Sequence, residues 1–534
     1  MEYPRKHDKF IAYGTAGFRT RAEELPHIMY RMGILATIRA KNVKAAVGVM
    51  ITASHNPVVD NGVKLVDRKG DMLAHEWEIL ATELANASDE ELDGMVQGMV
   101  KKFASDSDAP ALVFIGRDTR PSSESLMDAV VMGVEKMGGT VKNFGIVSTP
   151  QLHYFVVSHN TNGAYGEPTE AGYFKKMSDA FKKFREIHPL NEKYANQVIF
   201  DGANGVGAHK MKVMKTYLED SLKVEIFNSG EGELNYMCGA DYVKVGQRPP
   251  DNVPLERGVK YVTVDGDADR VLYFFYDDSN TFCMLDGDKI ATLIAGYFKE
   301  LVSESGLALN LGLVQTAYAN GSSTHYISEN LKVPVACVPT GVKHLHHKAT
   351  NFDIGIYFEA NGHGTVVFSD IATLKIRNSQ NDTSMTDKQI MAVKKLAILC
   401  DIINQTVGDA ISDILLVESI LYARGWSIED WNKSYTDLPN RQLKVQVKDR
   451  NVISTTDAER RCQTPSELQD EIDAAIAKYK FGRSFVRPSG TEDVIRVYAE
   501  AESQYSADML AYEVAVIVYN LAGGVGDQPR KPRC

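Results

Sequence analysis

Short apolar runs rich in β-branched residues recur along this chain. Each closes on a polar, glycine-bearing or proline-bearing loop, and most lead into a longer stretch of helical periodicity. Residues 45–51 read as a buried strand that delivers Thr52-Ala53-Ser54-His55-Asn56-Pro57 to its end. Residues 111–115 run into Gly116-Arg117-Asp118, and 123–137 read as a helix. Residues 198–200 end in Asp201-Gly202-Ala203-Asn204-Gly205, ahead of a second helical stretch. Residues 261–264 end in Asp265-Gly266-Asp267, with a helix expected over 288–301. Residues 333–338 lead to Pro339-Thr340-Gly341, and 354–358 lead to Glu359. Strand, loop and helix in this repetition predict an α/β protein. Ligands of open α/β sheets collect at the carboxyl ends of the strands, so the chemistry is expected in these loops.

The pattern changes after the polar stretch 430–442, which reads as a linker, as 175–193 reads as a charged helical connector. Residues 444–452 alternate like a strand. Thr464-Pro465-Ser466-Glu467 predicts a helix start, with a capping box and Pro at the first helical position. Leu468, Ile472, Ala475, Ile476 and Tyr479 then form one apolar stripe. A strand over 494–499 and a helix over 507–521 complete a small α+β module. The 534 residues exceed what one core supports, and at about 150 residues per domain three or four domains are expected.

Charge and cysteine usage narrow the partners. A net charge of −11 supplies no basic field for nucleic acid, although a local basic pocket still accepts small phosphates. The six cysteines are scattered, with no Cys-x-x-Cys pair, as in a reduced, cytoplasmic protein. The N-terminus is charged, and no apolar run reaches the roughly 18 residues of a membrane span.

Several loops carry candidate chemistry. Pro57 stops the Ser54 run from continuing as a helix or central strand. A hydroxyl beside His55 in a constrained turn suits a nucleophile, or is simply a capped polar loop. In Asp265-Gly266-Asp267-Ala268-Asp269-Arg270 three carboxylates alternate, and alternate side chains of an extended segment share a face. Such a set suits one hard cation, Mg²⁺ with a phosphate oxygen best, and Arg270 is placed to meet that phosphoryl group. An EF-hand is excluded because Arg270 and Tyr276 stand where that loop needs Gly and Glu. Arg487-Pro488-Ser489-Gly490-Thr491-Glu492 reads as an anion-binding turn, with Arg496 in reach. In Glu359-Ala360-Asn361-Gly362-His363-Gly364 a carboxylate and an amide two apart can chelate sugar hydroxyls. Lys343, His344, His346 and His347 suggest proton transfer or the polar start of a helix. Arg19, in a glycine-flexed loop, is a phosphate contact, and Lys64 lies ten residues after Ser54.

A serine loop, an acidic metal loop, a Glu-bearing sugar loop and an Arg-Pro-Ser-Gly-Thr-Glu phosphate loop, in that order and over nearly the whole chain, resemble the α-D-phosphohexomutase superfamily. Two departures resemble its acetylglucosamine branch: Gly116-Arg117-Asp118-Thr119-Arg120 follows the serine loop, and Asn361 stands where glucose and mannose mutases carry Ser. A third leaves the superfamily's Thr-Gly-His unmatched, since the chain reads Thr340-Gly341-Val342-Lys343-His344. The resemblance implies four domains around a central cleft: three α/β domains with mixed sheets, over 1–189 with the serine loop, 190–295 with the metal loop and 296–438 with the sugar loop, then an α+β phosphate-binding domain over 439–534.

It implies a phosphoserine at Ser54 and Mg²⁺ held by Ser54, Asp265, Asp267 and Asp269, with Arg270 on the phosphoserine. The substrate would be an N-acetylhexosamine phosphate, passing through a sugar 1,6-bisphosphate. Glu359, Asn361, Gly362, His363 and Lys343 would hold the sugar; Arg487, Ser489, Gly490, Thr491 and Arg496 would hold the non-reacting phosphate. Lys64 comes first as general acid/base, since a lysine in a basic cleft can have a depressed pKa, with His55 and His344 behind it, and Arg19 is a catalytic contact to the phosphate or phosphoserine. A monomer or weak dimer in the pathway to UDP-N-acetylglucosamine is expected. Glucose or mannose phosphomutase, a metal-dependent phosphatase and a non-catalytic sugar-phosphate binder are the rival readings.

Overall fold

The computed structural model describes residues 3–104, 110–189, 193–489 and 493–532. Three mixed sheets and one antiparallel sheet follow one another along it. The first runs, in spatial order, Phe18–Arg21, Asp60–Val66, Val47–Ile51, Leu112–Arg117 and Thr140–Ile146. Its first three strands pair antiparallel and its last three parallel. The second sheet repeats that plan with Phe282–Leu285, Val271–Tyr276, Tyr261–Val264, Gln197–Asp201 and Lys223–Phe227. In the third, Val335–Cys337, Leu311–Gln315 and Ile354–Phe358 are parallel, and Gly364–Phe368 returns antiparallel. The fourth is Asn440–Gln446, Val494–Glu500 and Arg483–Pro488, all antiparallel, beside a hairpin of Ser454–Thr456 and Arg461–Thr464. Three mixed α/β units and a terminal α+β unit agree with the expected fold class.

The central strands are mostly apolar because both of their faces are buried. Val47–Ile51, Tyr261–Val264, Leu311–Gln315 and Ile354–Phe358 are buried at every residue. Local chemistry departs from expectation in the last unit. The helix Ser466–Ile476 has Pro465 at its N-cap and no side-chain cap, so the capping box does not form. Thr464 instead ends the strand Arg461–Thr464 and donates its hydroxyl to Val452 O. The alternation over 444–452 breaks after Gln446, where Arg450–Val452 turns as a 3₁₀ helix. The linker over 430–442 is also partly regular, since it overlaps the helix Ile428–Asn432 and the strand beginning at Asn440.

One core passes through the first three units. Phe155 and Phe174, from helices Thr149–Asn160 and Glu170–Glu186, share a cluster with Phe200, Phe298 and Leu416 of the later units. The C-terminal unit has its own core and meets the third unit through a small aromatic set of Tyr318, Phe485 and Tyr498. Lys260 and Glu418, 3% and 0% exposed, form a buried ion pair inside the shared core. Tyr194 OH donates to the same carboxylate at 2.5 Å and Tyr273 OH at 3.3 Å. Removing one partner of such a pair strands a buried charge. Glu418→Ala is therefore expected to lower unfolding free energy by about 3–5 kcal/mol, measured by urea denaturation against wild type.

Candidate active site

Ser54 stands just past the carboxyl end of Val47–Ile51 and is fully buried. Its φ of +53 places a non-glycine residue in the left-handed region, which persists only where surroundings over-determine it. They do so here. Ser54 N donates to Thr52 Oγ1 at 2.9 Å, and that hydroxyl donates to Asp118 Oδ2 at 2.7 Å. Arg120 Nη2 reaches the carbonyls of Ser54 at 3.1 Å and Asn56 at 2.7 Å. Asn235 Nδ2 binds the same two carbonyls at 2.9 and 3.1 Å. The Ser54 hydroxyl is left pointing at the acidic loop, donating to Asp265 Oδ2 at 2.5 Å.

The three carboxylates of that loop converge, but not through an extended pleat as expected. Ala268 turns left-handed at φ +58, and Asp265 Oδ1 accepts from the backbone N–H of Asp269 at 3.1 Å and Arg270 at 3.2 Å. A turn capped by its own first carboxylate gathers the set. Oxygens of Asp265, Asp267 and Asp269 lie within 4.8 Å of one another, all in buried residues. Asp267 Oδ1 is buried without a hydrogen-bond partner, and Asp269 Oδ1 has His363 Nδ1 at 3.3 Å. Burial, then Asp269 and Asp267, pushes the Asp265 carboxyl well above its ordinary range. Burial also opposes ionisation of Asp267 and Asp269, yet both lie below the ordinary value, held there mainly by Lys64 and, for Asp269, His363. Closely spaced buried oxygens with unused lone pairs fit a small hard cation such as Mg²⁺.

Lys64 accounts for the balance of charge among the described residues. Its ammonium donates to Asp267 and Asp269, each at 2.9 Å. The expected depression of its pKa is reversed: burial pulls it down, but the two carboxylates more than compensate and raise it. His55 moves the other way, driven far below its ordinary value by Arg270 first, then burial, then Arg19. Its imidazole is therefore neutral at working pH, and its buried Nδ1 has no partner. Arg19 Nε is likewise buried without a hydrogen bond, Arg270 Nε lies 3.9 Å from Asp265 and 4.0 Å from Asp269, and burial followed by Arg270 lowers the Arg19 pKa. Two crowded guanidinium groups beside a buried hydroxyl make a seat for an oxyanion.

The sugar loop packs on the metal unit. Gly362 sits at φ +87, where a Cβ would lie 2.1 Å from Val271 O. Asn361 Nδ2 donates to Glu359 Oε2 at 3.2 Å, and Asn361 Oδ1 accepts from His363 N at 3.0 Å. His363, expected on the sugar, faces Asp269 and is 5% exposed. Lys343 is bound by Glu78 of the first unit. His344, expected near the reacting group, has Lys343, Glu459 and Glu78 as charged neighbours. No hydrogen bond among the described residues joins it to Ser54. His346 bonds Tyr357 OH at 3.1 Å, in a helix over Val342–Ala349.

In the last unit Arg487 and Arg496 are directly opposite across adjacent strands. Like charges in that register repel, and Arg496 Nε is buried without a partner; an anion between them removes the cost. Ser489 is buried beside them. Gly490 and Thr491 lie outside the described residues.

Comparison with known proteins follows this geometry. Family models for phosphoacetylglucosamine mutase AMG1 match residues 165–272 as domain II and 286–426 as domain III. Models for phosphoglucomutase/phosphomannomutase match 33–92 and 90–165 as the alpha/beta/alpha domain I, and 443–516 as the C-terminal domain. The human phosphoacetylglucosamine mutase is 52% identical over 97% of this chain and 96% of its own. The chain belongs to the phosphoacetylglucosamine mutase family.

The Candida albicans member is 45% identical over 97% of both chains. A crystal structure of an N-acetylglucosamine-phosphate mutase of the α-D-phosphohexomutase superfamily, in its substrate complex, aligns with TM-score 0.93 at 44% identity, over 97% of this chain and 98% of that one. The Aspergillus fumigatus enzyme in complex with GlcNAc-6P and magnesium aligns with TM-score 0.91 at 46% identity, over 96% of both.

Sequence reasoning passed over three residues of this family site. Arg120 belongs to the Gly116–Arg120 motif, noticed for its order and given no task. Thr149 donates to Asp267 Oδ2 at 2.6 Å; its signal was the Ser148-capped helix start at Thr149-Pro150. Asn235, which holds the serine turn, carried no signal. The role of Lys64 among the carboxylates is open to test. Lys64→Met leaves Asp267 and Asp269 without their ammonium, and is expected to cost about 1–3 kcal/mol of stability in EDTA. Mg²⁺ should then recover more stability in the variant than in wild type, as urea titrations with and without the ion would show.

Proposed function

We propose that the protein interconverts N-acetylglucosamine 6-phosphate and N-acetylglucosamine 1-phosphate through a phosphoserine at Ser54 and a 1,6-bisphosphate. The observation that carries this reading is the buried Ser54 hydroxyl aimed at Asp265, in a cluster of three buried carboxylates with the Arg270 guanidinium 3.9 Å from Asp265. A related Aspergillus fumigatus structure holds glucose 1,6-bisphosphate, which supports the intermediate. Asp265, Asp267 and Asp269 would hold Mg²⁺, which neutralises charge on the transferring phosphoryl group when bound.

The chain's own residues supply the rest. A sugar hydroxyl attacks the phosphorus of the Ser54 phosphate while the Ser54 Oγ–P bond breaks. The sugar hydroxyl gives up its proton as the new O–P bond forms, and that proton restores the Lys64 ammonium. Lys64, held protonated, gives a proton to the departing Ser54 oxygen. Arg19 and Arg270 stabilise the equatorial oxygens. Glu359 and Asn361 orient the ring hydroxyls, and Arg487, Ser489 and Arg496 hold the second phosphate. After the bisphosphate turns over in the cleft, the same steps run backward from its other phosphate. Division into units over 1–189, 190–295, 296–438 and 439–534 separates these four tasks. The 1-phosphate product suits nucleotidyl transfer toward UDP-N-acetylglucosamine, in the cytoplasm.

Ser54→Ala is expected to lower turnover of N-acetylglucosamine 6-phosphate by at least about a thousandfold. Intact mass should show a phosphoryl adduct on wild type and none on the variant. Wild-type turnover by Ser54→Ala would overturn the phosphoserine role, and a substrate panel separates this activity from glucose or mannose phosphate isomerisation.

A further inference from the structure

One strained turn has no part in the scheme above. The hairpin Ser454–Thr456 and Arg461–Thr464 of the last unit is closed by Asp457, Ala458 and Glu459. All three are left-handed, at φ +53, +54 and +68. Each such non-glycine residue costs free energy that only its surroundings repay. Arg460 helps by gripping the Asp457 carboxylate at 2.5 Å. The larger return is at Glu459, whose side chain this turn directs across the cleft edge.

The Glu459 carboxylate makes contacts in two units. Its Oε2 accepts from Thr340 N at 2.9 Å and from Thr340 Oγ1 at 2.5 Å. Its Oε1 lies 3.3 Å from Arg487 Nη1. Arg487 Nε donates to Tyr318 OH at 3.2 Å, and the Tyr318 ring stands edge-on to Phe485 and Tyr498. Two anchors, at Nη1 and Nε, fix the plane of the guanidinium fork. Thr340 is followed by Gly341 at φ +130, where a Cβ would lie 2.7 Å from Thr15 Cγ2. The carboxylate thus joins the third and last units, and the residue next to Thr340 packs on Thr15 of the first. The C-terminal unit has a separate core, and this contact adds to the ties that Arg483, Glu500 and Arg487 make to the third unit.

We propose that Glu459 is a positioning residue of the phosphate site: one carboxylate presets the Arg487 guanidinium and fastens the C-terminal unit to Thr340. The inference rests on the reading of Arg487 as a phosphate ligand. A residue that orients the holder of the non-reacting phosphate serves ground state and transition state alike. Its loss therefore raises KM and spares kcat.

The test compares wild type, E459A, E459Q, T340V and R487A. It uses steady-state turnover of N-acetylglucosamine 6-phosphate with Mg²⁺, calorimetric binding of the same ligand, and circular dichroism to establish folding. E459A should raise KM about tenfold, near 1.4 kcal/mol, with kcat within about threefold of wild type. E459Q keeps an acceptor for Thr340 and loses the charge facing Arg487, so it should raise KM about threefold; it is decisive should E459A not fold. T340V should fall between wild type and E459A. KM and affinity within twofold of wild type in E459Q and E459A, with binding weakened in R487A, overturn the inference alone. Unchanged binding in R487A overturns the phosphate reading beneath it.

Discussion

Three buried carboxylates within one cation's reach set the terms for the rest of this molecule. Such a cluster is electrostatically unfavourable by itself. The fold answers with an ammonium between two of them, an imidazole against the third and a serine hydroxyl on the first. Lys64 comes from the strand Asp60–Val66, Ser54 from the loop after Val47–Ile51 and His363 from the loop after Ile354–Phe358, so the three units must meet for the cluster to exist. The shared apolar core of the first three units keeps that meeting fixed. The same crowding raises the Lys64 pKa and, with Arg19 and Arg270, empties His55 of its proton. The protonated Lys64 and the neutral His55 are therefore products of one charge arrangement rather than of separate tuning.

The last unit obeys a different constraint. It has an independent core, and its ties to the third unit include a small aromatic set, Arg483 on the carbonyls of Ala317 and Ala319, Glu500 on Gly321 N, and Glu459 on Thr340. Polar and aromatic contacts of this extent hold a geometry while permitting reorientation. That combination suits a unit that grips either phosphate of a sugar that must turn over inside the cleft. Arg487 and Arg496 oppose one another across the strands, with Glu459 offsetting part of that repulsion from Arg487.

Much of this was readable in the sequence. Alternating strand and loop runs located the central strands, because a strand buried on both faces must be apolar throughout. The spacing of Asp265, Asp267 and Asp269 gave a metal-ready loop, and Ser54 before Pro57 gave a constrained hydroxyl. Local rules failed where a neighbour in space outbid them. The Thr464 capping box lost to a strand pairing, and the pleat that should have aligned the aspartates is a turn around Asp265 Oδ1.

What the sequence by itself determined is the set of chemical parts and their order, since period, turn residues and charge spacing are local properties of the chain. What only the tertiary structure decided is which parts face one another. Lys64 and Asp267 are brought to 2.9 Å from distant strands, and that contact reverses the pKa shift expected of the lysine. His363 turns from sugar to aspartate, His344 has Glu459 rather than Ser54 for a neighbour, and Asn235 enters the serine turn with no warning in its own surroundings. Protonation states and hydrogen-bond partners depend on distances between remote segments, and only the assembled fold fixes those distances.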